Sequence, residues 1–325
     1  MASKLTKFKV AAAHAAPVFM DKMATIKKTV RLIEQAGADD IKLLVFPEAF
    51  IPGYPYFIEC YPPLAQVAAL ALYAEESVVV DPGGDDMAAI QDACRRTGVA
   101  ISLGVSERMG GGGHTLFNSQ VTVDSDGTIL GVHRKLQPTY VERMVRAQGD
   151  GSTLCNFPLA SLGWNLGGLA RVAGAVAMAG FEAVADAKIE ALMKAHAPTA
   201  QVFVVTASNY VDETCLAWMR EHLGEQDFVK EGGGWSAVLH PFCAFLGGPH
   251  TGAEEKLVQG EVDFAQLGAV KVWIDAAGHY QRPEVLQFRF DKRPMWADEK
   301  TKRFGRGVRE KVEEGVVEER DEKAL

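Results

Sequence analysis

"IKLLVFPEAFIPGYPY", from Ile41 to Tyr56, starts as an unbroken apolar run and ends in a loop of prolines and aromatic residues. Apolar runs of this kind belong to strands covered on both faces. Upstream, KFKVAAAHAA (Lys7–Ala16) reads as a first buried strand. Asp21 then caps a helix whose apolar stripe is Met23, Ile26, Val30 and Ile33, at helical spacing. Downstream, DDMAAIQDACRRTG (Asp85–Gly98) reads as a helix closed by Gly98, and VAISLGVSER (Val99–Arg108) as the next strand. Strands alternating with helices predict a layered α/β domain.

Beyond this point the texture changes. TLFNSQVTVDSDGTILGVHRKL (Thr115–Leu136) is two strands around an Asp-Gly turn at Asp126–Gly127, a strong hairpin signal. A similar pair occurs late, between Gly232 and Phe264. Trp164 and Phe203 read as core. No internal repeat or linker is evident. From about Arg293 the chain becomes a charged tail with no core of its own. The expected organisation is one domain over residues 1–292 and a tail over residues 293–325.

The chain has 325 residues, 48% hydrophobic and 23% charged, and a net charge of -8. That balance, without a basic cluster interleaved with aromatics, argues against nucleic acid as a partner. No apolar stretch approaches a membrane span and the N-terminus has no long apolar core, so a cytoplasmic setting is expected. The five cysteines, Cys60, Cys94, Cys155, Cys215 and Cys243, are scattered and lack CxxC spacing. This disfavours a disulfide framework and a zinc site.

Two motifs carry chemistry. Glu48, in Phe46-Pro47-Glu48, stands at the C-terminal end of an apolar strand, where α/β sheets place their sites. A partly desolvated carboxylate there suits a general base. Read alone, it is a loop cap or a surface ion-pair partner. The second motif, HRKLQPTYVER (His133–Arg143), leaves a strand and is broken by Pro138. Lys135 beside a buried glutamate is a cation poised to stabilise an oxyanion. Read alone, this is a solvated charged stretch.

Taken in order, FPEAFIPGYPY, GVHRKLQPTYVER, AQGDGSTL, LGGL and DAAGHYQRPEVL resemble the nitrilase branch of the nitrilase superfamily, from about Phe8 to Phe288. The resemblance implies a four-layer αββα sandwich and a thiol hydrolase with no cofactor and no metal. It implies Glu48 as general base, Lys135 as oxyanion stabiliser and Glu142 as a second carboxylate positioning Lys135 and the substrate. Tyr54 and Tyr56 would line the substrate pocket. The substrate would be a small-molecule nitrile, attacked by a cysteine thiolate and released as carboxylic acid and ammonia. Self-association into dimers or larger spirals follows from the same resemblance. The two motifs should then bring neighbouring strand ends together, with Glu48 and Lys135 within hydrogen-bond reach.

The resemblance breaks at one place. The family's nucleophile follows the strand that here reads LGGLA, where a Cys-Trp-Glu run is expected; this chain has Arg171, Val172 and Ala173. The segment from Arg171 to about Ala200 reads as helix and lacks the next apolar strand, so one βα unit is shortened or rewritten. An Arg171 pointing into the site would meet Glu48 and Glu142. The remaining cysteines read as small buried hydrophobes. His279 matches a family motif, and a structural role is expected of it. Two functions stay open: a nitrilase-type hydrolase, impaired, or a non-catalytic binding or scaffold protein of the same fold.

Overall fold

The first strand, β1 (Lys7–His14), lies between two partners, parallel to β2 (Ile41–Val45) and antiparallel to a strand from late in the chain. A computed structural model describes residues 6–153, 156–159, 164–167, 176–178, 182–275, 278–287, 289 and 291–296. The remaining strands are β3 (Ala100–Arg108), β4 (Leu116–Val123), β5 (Ile129–Arg134), β6 (Asn156–Leu159), β7 (Trp164–Gly167), β8 (Val176–Met178), β9 (Val204–Thr206), β10 (Val229–Gly233), β11 (Trp235–Leu239), β12 (Phe245–Thr251) and β13 (Lys256–Asp263). The helices are α1 (Lys22–Ala38), α2 (Val67–Glu75), α3 (Ala88–Thr97), α4 (Glu182–Ala200), α5 (Glu213–Leu223) and α6 (Leu267–Trp273). The main sheet runs β13-β1-β2-β3-β4-β5, and a second runs β12-β11-β9.

Period-two alternation builds the layers. Ala11, Leu44, Ile101, Leu103 and Val121 face α1 and α3, meeting Ile26, Leu32, Ile33, Ile90 and Cys94. Their neighbours Val10, Leu43 and Ala100 turn the other way, onto Val238 of β11 and Val205 of β9. In β11, Trp235, Ala237 and Leu239 point outward to Ile189, Met193 and Ala197, which recur every fourth residue on α4. The result is an αββα sandwich: α1 and α3, the main sheet, the second sheet, then α4. Each fully buried leucine or isoleucine contributes about 1.5–3 kcal/mol.

The local signals act as read for the caps. Asp21 accepts from Ala24 N at 2.8 Å at the start of α1. Gly98 closes α3 in the left-handed region, with φ 70°. Gly127 takes φ 81° in the β4–β5 turn.

Three readings are corrected. Met23 is exposed; α1 buries Thr25, Ile26, Thr29, Leu32, Ile33 and Ala36, with Val30 packed alongside. The ends of β2 and β5 are not neighbours in the sheet, because β3 and β4 lie between them. Within the stretch read as helix from Arg171, Val176–Met178 is instead a strand paired with β10, through Met178 with Val229 and Val176 with Gly233. Tertiary pairing there overrides the helical preference of an alanine-rich segment.

Near the chain's described end, Met295 N donates to Asp150 Oδ2 at 2.6 Å, and the Trp296 ring meets Phe117 at 5.0 Å. Among the described residues, no helix is long and apolar enough to cross a membrane.

Candidate active site

Glu48 reaches its position by leaving the sheet. The backbone ladder from β2 continues as Phe46 N donates to Ser102 O at 2.8 Å, and resumes as Ser106 N donates to Ile51 O at 2.8 Å. Between these anchors, Pro47–Phe50 arch over β3 at Gly104. A Cβ at Gly104 would stand 2.1 Å from Pro47 O and 2.8 Å from Glu48 Cα. Ala49 completes the arch with φ 45°. The arch carries Glu48 toward β4, where Asn118 Nδ2 donates to its Oε1. From the second sheet's side, Asn209 Nδ2 holds the Glu48 carbonyl at 2.7 Å.

Lys135 follows the last residue of β5. Its backbone N donates to Asn118 O at 2.8 Å, and Gly149 N donates to its carbonyl at 2.9 Å. The ammonium then spans both carboxylates, 3.0 Å from Glu48 Oε1 and 2.6 Å from Glu142 Oε2. Thus Glu48 and Lys135 converge although their strands are separated. Glu142 sits in a 3₁₀ turn (Tyr140–Met144) that begins with a capping box, in which Thr139 N donates to Glu142 Oε2 at 2.8 Å. Arg146 Nη1 and Asn118 Nδ2 donate to Glu142 Oε1 at 2.6 and 3.0 Å. Both oxygens of Glu142 are therefore occupied. Glu48 differs: among the described residues its Oε2 accepts no hydrogen bond.

The electrostatics separate the two carboxylates. Burial lifts the Glu48 carboxyl above the usual range, against the pull of Lys135, and the negative charge of Glu142 adds to the rise. Burial also works against ionised Glu142, but Arg146 and Lys135 outweigh it and hold that carboxyl down at about 2. Burial alone would lower Lys135; Glu48 and Glu142 keep it above its ordinary value, as an ammonium. The cluster thus pairs a fixed anion with a cation and a carboxyl free to exchange protons.

Tyr54 and Tyr56 stand with rings 5.2 Å apart. The half-buried Tyr54 donates to Glu59 Oε1 at 3.5 Å, and its ring lies 5.4 Å from the Arg146 guanidinium. Tyr56 is buried and stacks on Phe19. Burial raises both phenols, so both stay neutral.

Arg171 and Cys155 fall outside the described residues, as does the side chain of Trp164. Phe203 packs half-buried between the sheets. His279 is exposed and makes its contacts with Asp275 and Tyr280. Cys94 is buried in α3 and its thiol is pushed up to about 12 by burial. Cys60 donates to Tyr56 O and is pushed up to about 11, again by burial. Cys215 is buried in α5 with its thiol well above the ordinary value, and Cys243 donates to Lys194 O. None of these four bonds to Glu48, Lys135 or Glu142. Among the described residues, no group of three or more His, Cys, Asp or Glu is placed to hold a metal ion.

Sequence reasoning missed Asn118, Arg146, Tyr73 and Asn209. For Arg146 a signal existed: it stands four residues after Glu142, the spacing of one helical turn. Asn118 offered only its place on the Gln120 face of β4, and Asn209 offered none.

Comparisons with known proteins show the family and the fold. A family model described as carbon-nitrogen hydrolase matches residues 9–272, and the chain belongs to that family. Within it, the chain is a nitrilase-branch member. It is 32% identical over 310 residues to an aliphatic nitrilase of Rhodococcus rhodochrous, covering 88% of this chain and 83% of that protein. It is 33% identical to a nitrilase of Pseudomonas syringae pv. syringae, covering 88% and 90%. In fold it is similar to a carbon-nitrogen hydrolase from Helicobacter pylori G27, with TM-score 0.62, 19% identity and coverage of 87% and 99%. A branch 10 member of the nitrilase superfamily from Saccharomyces cerevisiae gives TM-score 0.62 at 17% identity, covering 87% of this chain and 100% of that one.

Proposed function

We propose that this chain carries the charged centre of a nitrile hydrolase without its nucleophile. In such a centre a cysteine thiolate adds to the nitrile carbon while Lys135 gives a proton to the nitrogen, forming a thioimidate. Glu48 then takes a proton from water as the hydroxide adds to the thioimidate carbon, and gives it to the nitrogen as the C–N bond breaks and ammonia leaves; a second water cleaves the resulting thioester to the acid and the thiol, whose proton restores the Lys135 ammonium. The Oε2 of Glu48, which accepts no hydrogen bond among the described residues, and the ammonium of Lys135 support the first two roles; the saturated Glu142 supports that of an anchor.

The missing thiol carries the reading. Arg171 stands where the nucleophile is expected, and the four described cysteines bond to none of the three charged residues. What remains is a buried charged cluster, which suits the second reading of a non-catalytic binding protein. The test is ammonia release by the purified protein from benzonitrile and phenylacetonitrile, with and without prior thiol alkylation. No release is expected in either case. Turnover abolished by alkylation would show that a cysteine serves, and would overturn the proposal.

The chain also carries exposed apolar residues, among them Leu64, Val67, Val272 and Trp273. These support a homo-oligomer, at least a dimer. A monomeric mass by light scattering at micromolar concentration would contradict it.

A further inference from the structure

Arg146 is fully buried, and neither motif that carries the chemistry includes it. A buried guanidinium is costly unless paired, and here it has two partners. Nη1 donates to Glu142 Oε1 at 2.6 Å, and Nη2 donates to the Tyr73 hydroxyl at 2.6 Å. That hydroxyl in turn donates to Gly53 O at 2.9 Å, in the loop that bears Tyr54. Arg146 therefore joins the two motif segments, FPEAFIPGYPY and KLQPTYVER, through one side chain. Among the described residues its buried Nε has no hydrogen-bond partner, so the contacts of the two terminal nitrogens must justify its burial.

We propose that Arg146 is a positioning residue of this centre: it clamps Glu142 by the oxygen that Lys135 leaves free, fixes it as a permanent anion, and leaves Glu48 as the carboxyl that exchanges protons. Lys135 alone lies between two carboxylates and attracts both, so it cannot tell them apart. Arg146 breaks that symmetry as the second full cation of the cluster, because of the two carboxylates it hydrogen-bonds Glu142 and not Glu48, on the same side as the neutral Thr139 N–H. The groups facing the guanidinium are Tyr73, Glu142, Tyr54 and Glu48, and those facing Glu142 include Lys135 and the half-buried Glu59. With the two cations set against Glu48 and Glu142, this core of the cluster is neutral while Glu48 is ionised.

The experiment reads the two carboxyls directly and needs no turnover, so its outcome is separate from that of the ammonia assay. Glutamate labelled with 13C at the carboxyl is titrated by NMR in the full-length protein, with Glu48 and Glu142 assigned by their loss in Glu48→Gln and Glu142→Gln. In the unmutated chain Glu142 is expected to stay ionised to about pH 2, with Glu48 titrating above the ordinary range. In Arg146→Met the Glu142 midpoint is expected to rise by ~1 pH unit or more. In Arg146→Lys, which keeps the charge, it is expected to return toward the original value. A Glu142 midpoint unmoved in Arg146→Met would reduce Arg146 to packing and overturn the proposal. Should Arg146→Met fail to fold, the unmutated chain and Arg146→Lys decide: Glu142 titrating in the ordinary carboxylate range in either would overturn it.

Discussion

Gly104 lies directly beneath Pro47: a side chain begun at Gly104 would place its Cβ 2.1 Å from the Pro47 carbonyl oxygen. The contact is with backbone, which cannot rotate aside as a flexible side chain does. Absence of a Cβ is thus what lets the loop cross β3 and deliver Glu48 to Asn118 and Lys135. Gly104→Ala is expected to lower stability by about 1–3 kcal/mol through overpacking. Gly268 is the control, because nothing lies within 4 Å of its added Cβ. Gly268→Ala, in α6, should be neutral or stabilising by up to about 1 kcal/mol. Urea midpoints of the two variants test the pair, and equal midpoints would remove the steric argument.

Asn118 is the second hinge of the site. One side-chain amide donates to both carboxylates, and its backbone carbonyl accepts from Lys135 N. Replacing it by leucine leaves buried carboxylate oxygens short of donors, a loss of about 1–3 kcal/mol. Asn118→Asp should cost more, because it sets a third carboxylate against Glu48 and Glu142. Thermal midpoints falling in the order original, leucine, aspartate would agree. An aspartate variant as stable as the original would mean that the amide protons are not what the site uses.

Much of this architecture is readable from the residues, for local reasons. Asp21 and Gly98 act through their own backbone neighbourhood, and period-two alternation assigns Val10 and Ala11 to opposite faces without knowledge of the partner layers. Glu48 and Lys135 are found because each follows the end of an apolar strand and because their motifs, taken in order, resemble one family. What local pattern does not contain is the arch over Gly104, which depends on β3 lying beneath a loop, Pro47–Phe50, from much earlier in the chain. The strand at Val176–Met178 is hidden for the same reason, since its preference comes from β10 and not from its own alanines. Asn209 acts through a backbone carbonyl, and a carbonyl leaves no mark in sequence.

The two carboxylates should shape acid stability in opposite directions. Glu142 is held at about 2, against an ordinary value of 4.5. Its contribution is present above 4.5 and is lost as pH falls from there toward 2, by about 3 kcal/mol. Glu48 is raised, so its native carboxyl keeps a proton that the unfolded chain gives up. Its contribution is present below 4.5 and is lost as pH rises through the folded value. Glu142→Gln should therefore flatten the acid limb of the stability curve, and Glu48→Gln the limb above it. Urea midpoints from about pH 2 to about pH 7 at constant ionic strength check both signs. An acid limb left unchanged by Glu142→Gln would contradict the assignment.

Thiol reactivity supplies the last prediction, and it bears on the proposal that the nucleophile is lost. A working cysteine in a hydrolase is a thiolate near neutral pH, lowered by a nearby cation and open to reagent. Cys60, Cys94 and Cys215 show the reverse. Burial pushes Cys60 up to about 11 and Cys94 to about 12, and it puts Cys215 well above its ordinary value. Cys94 and Cys215 are also closed to solvent, whereas Cys60 and Cys243 are half-buried. Alkylation of the native protein at neutral pH should accordingly be slow. Modification should begin at Cys60 and Cys243, and Cys94 and Cys215 should react only on unfolding. Mass spectrometry of iodoacetamide-treated protein, followed over time and pH, gives the order. A fast phase with a midpoint below neutral would reveal an activated thiol. If peptide mapping placed it at Cys155, that cysteine would have taken the nucleophile's part and Arg171 would not mark a lost function.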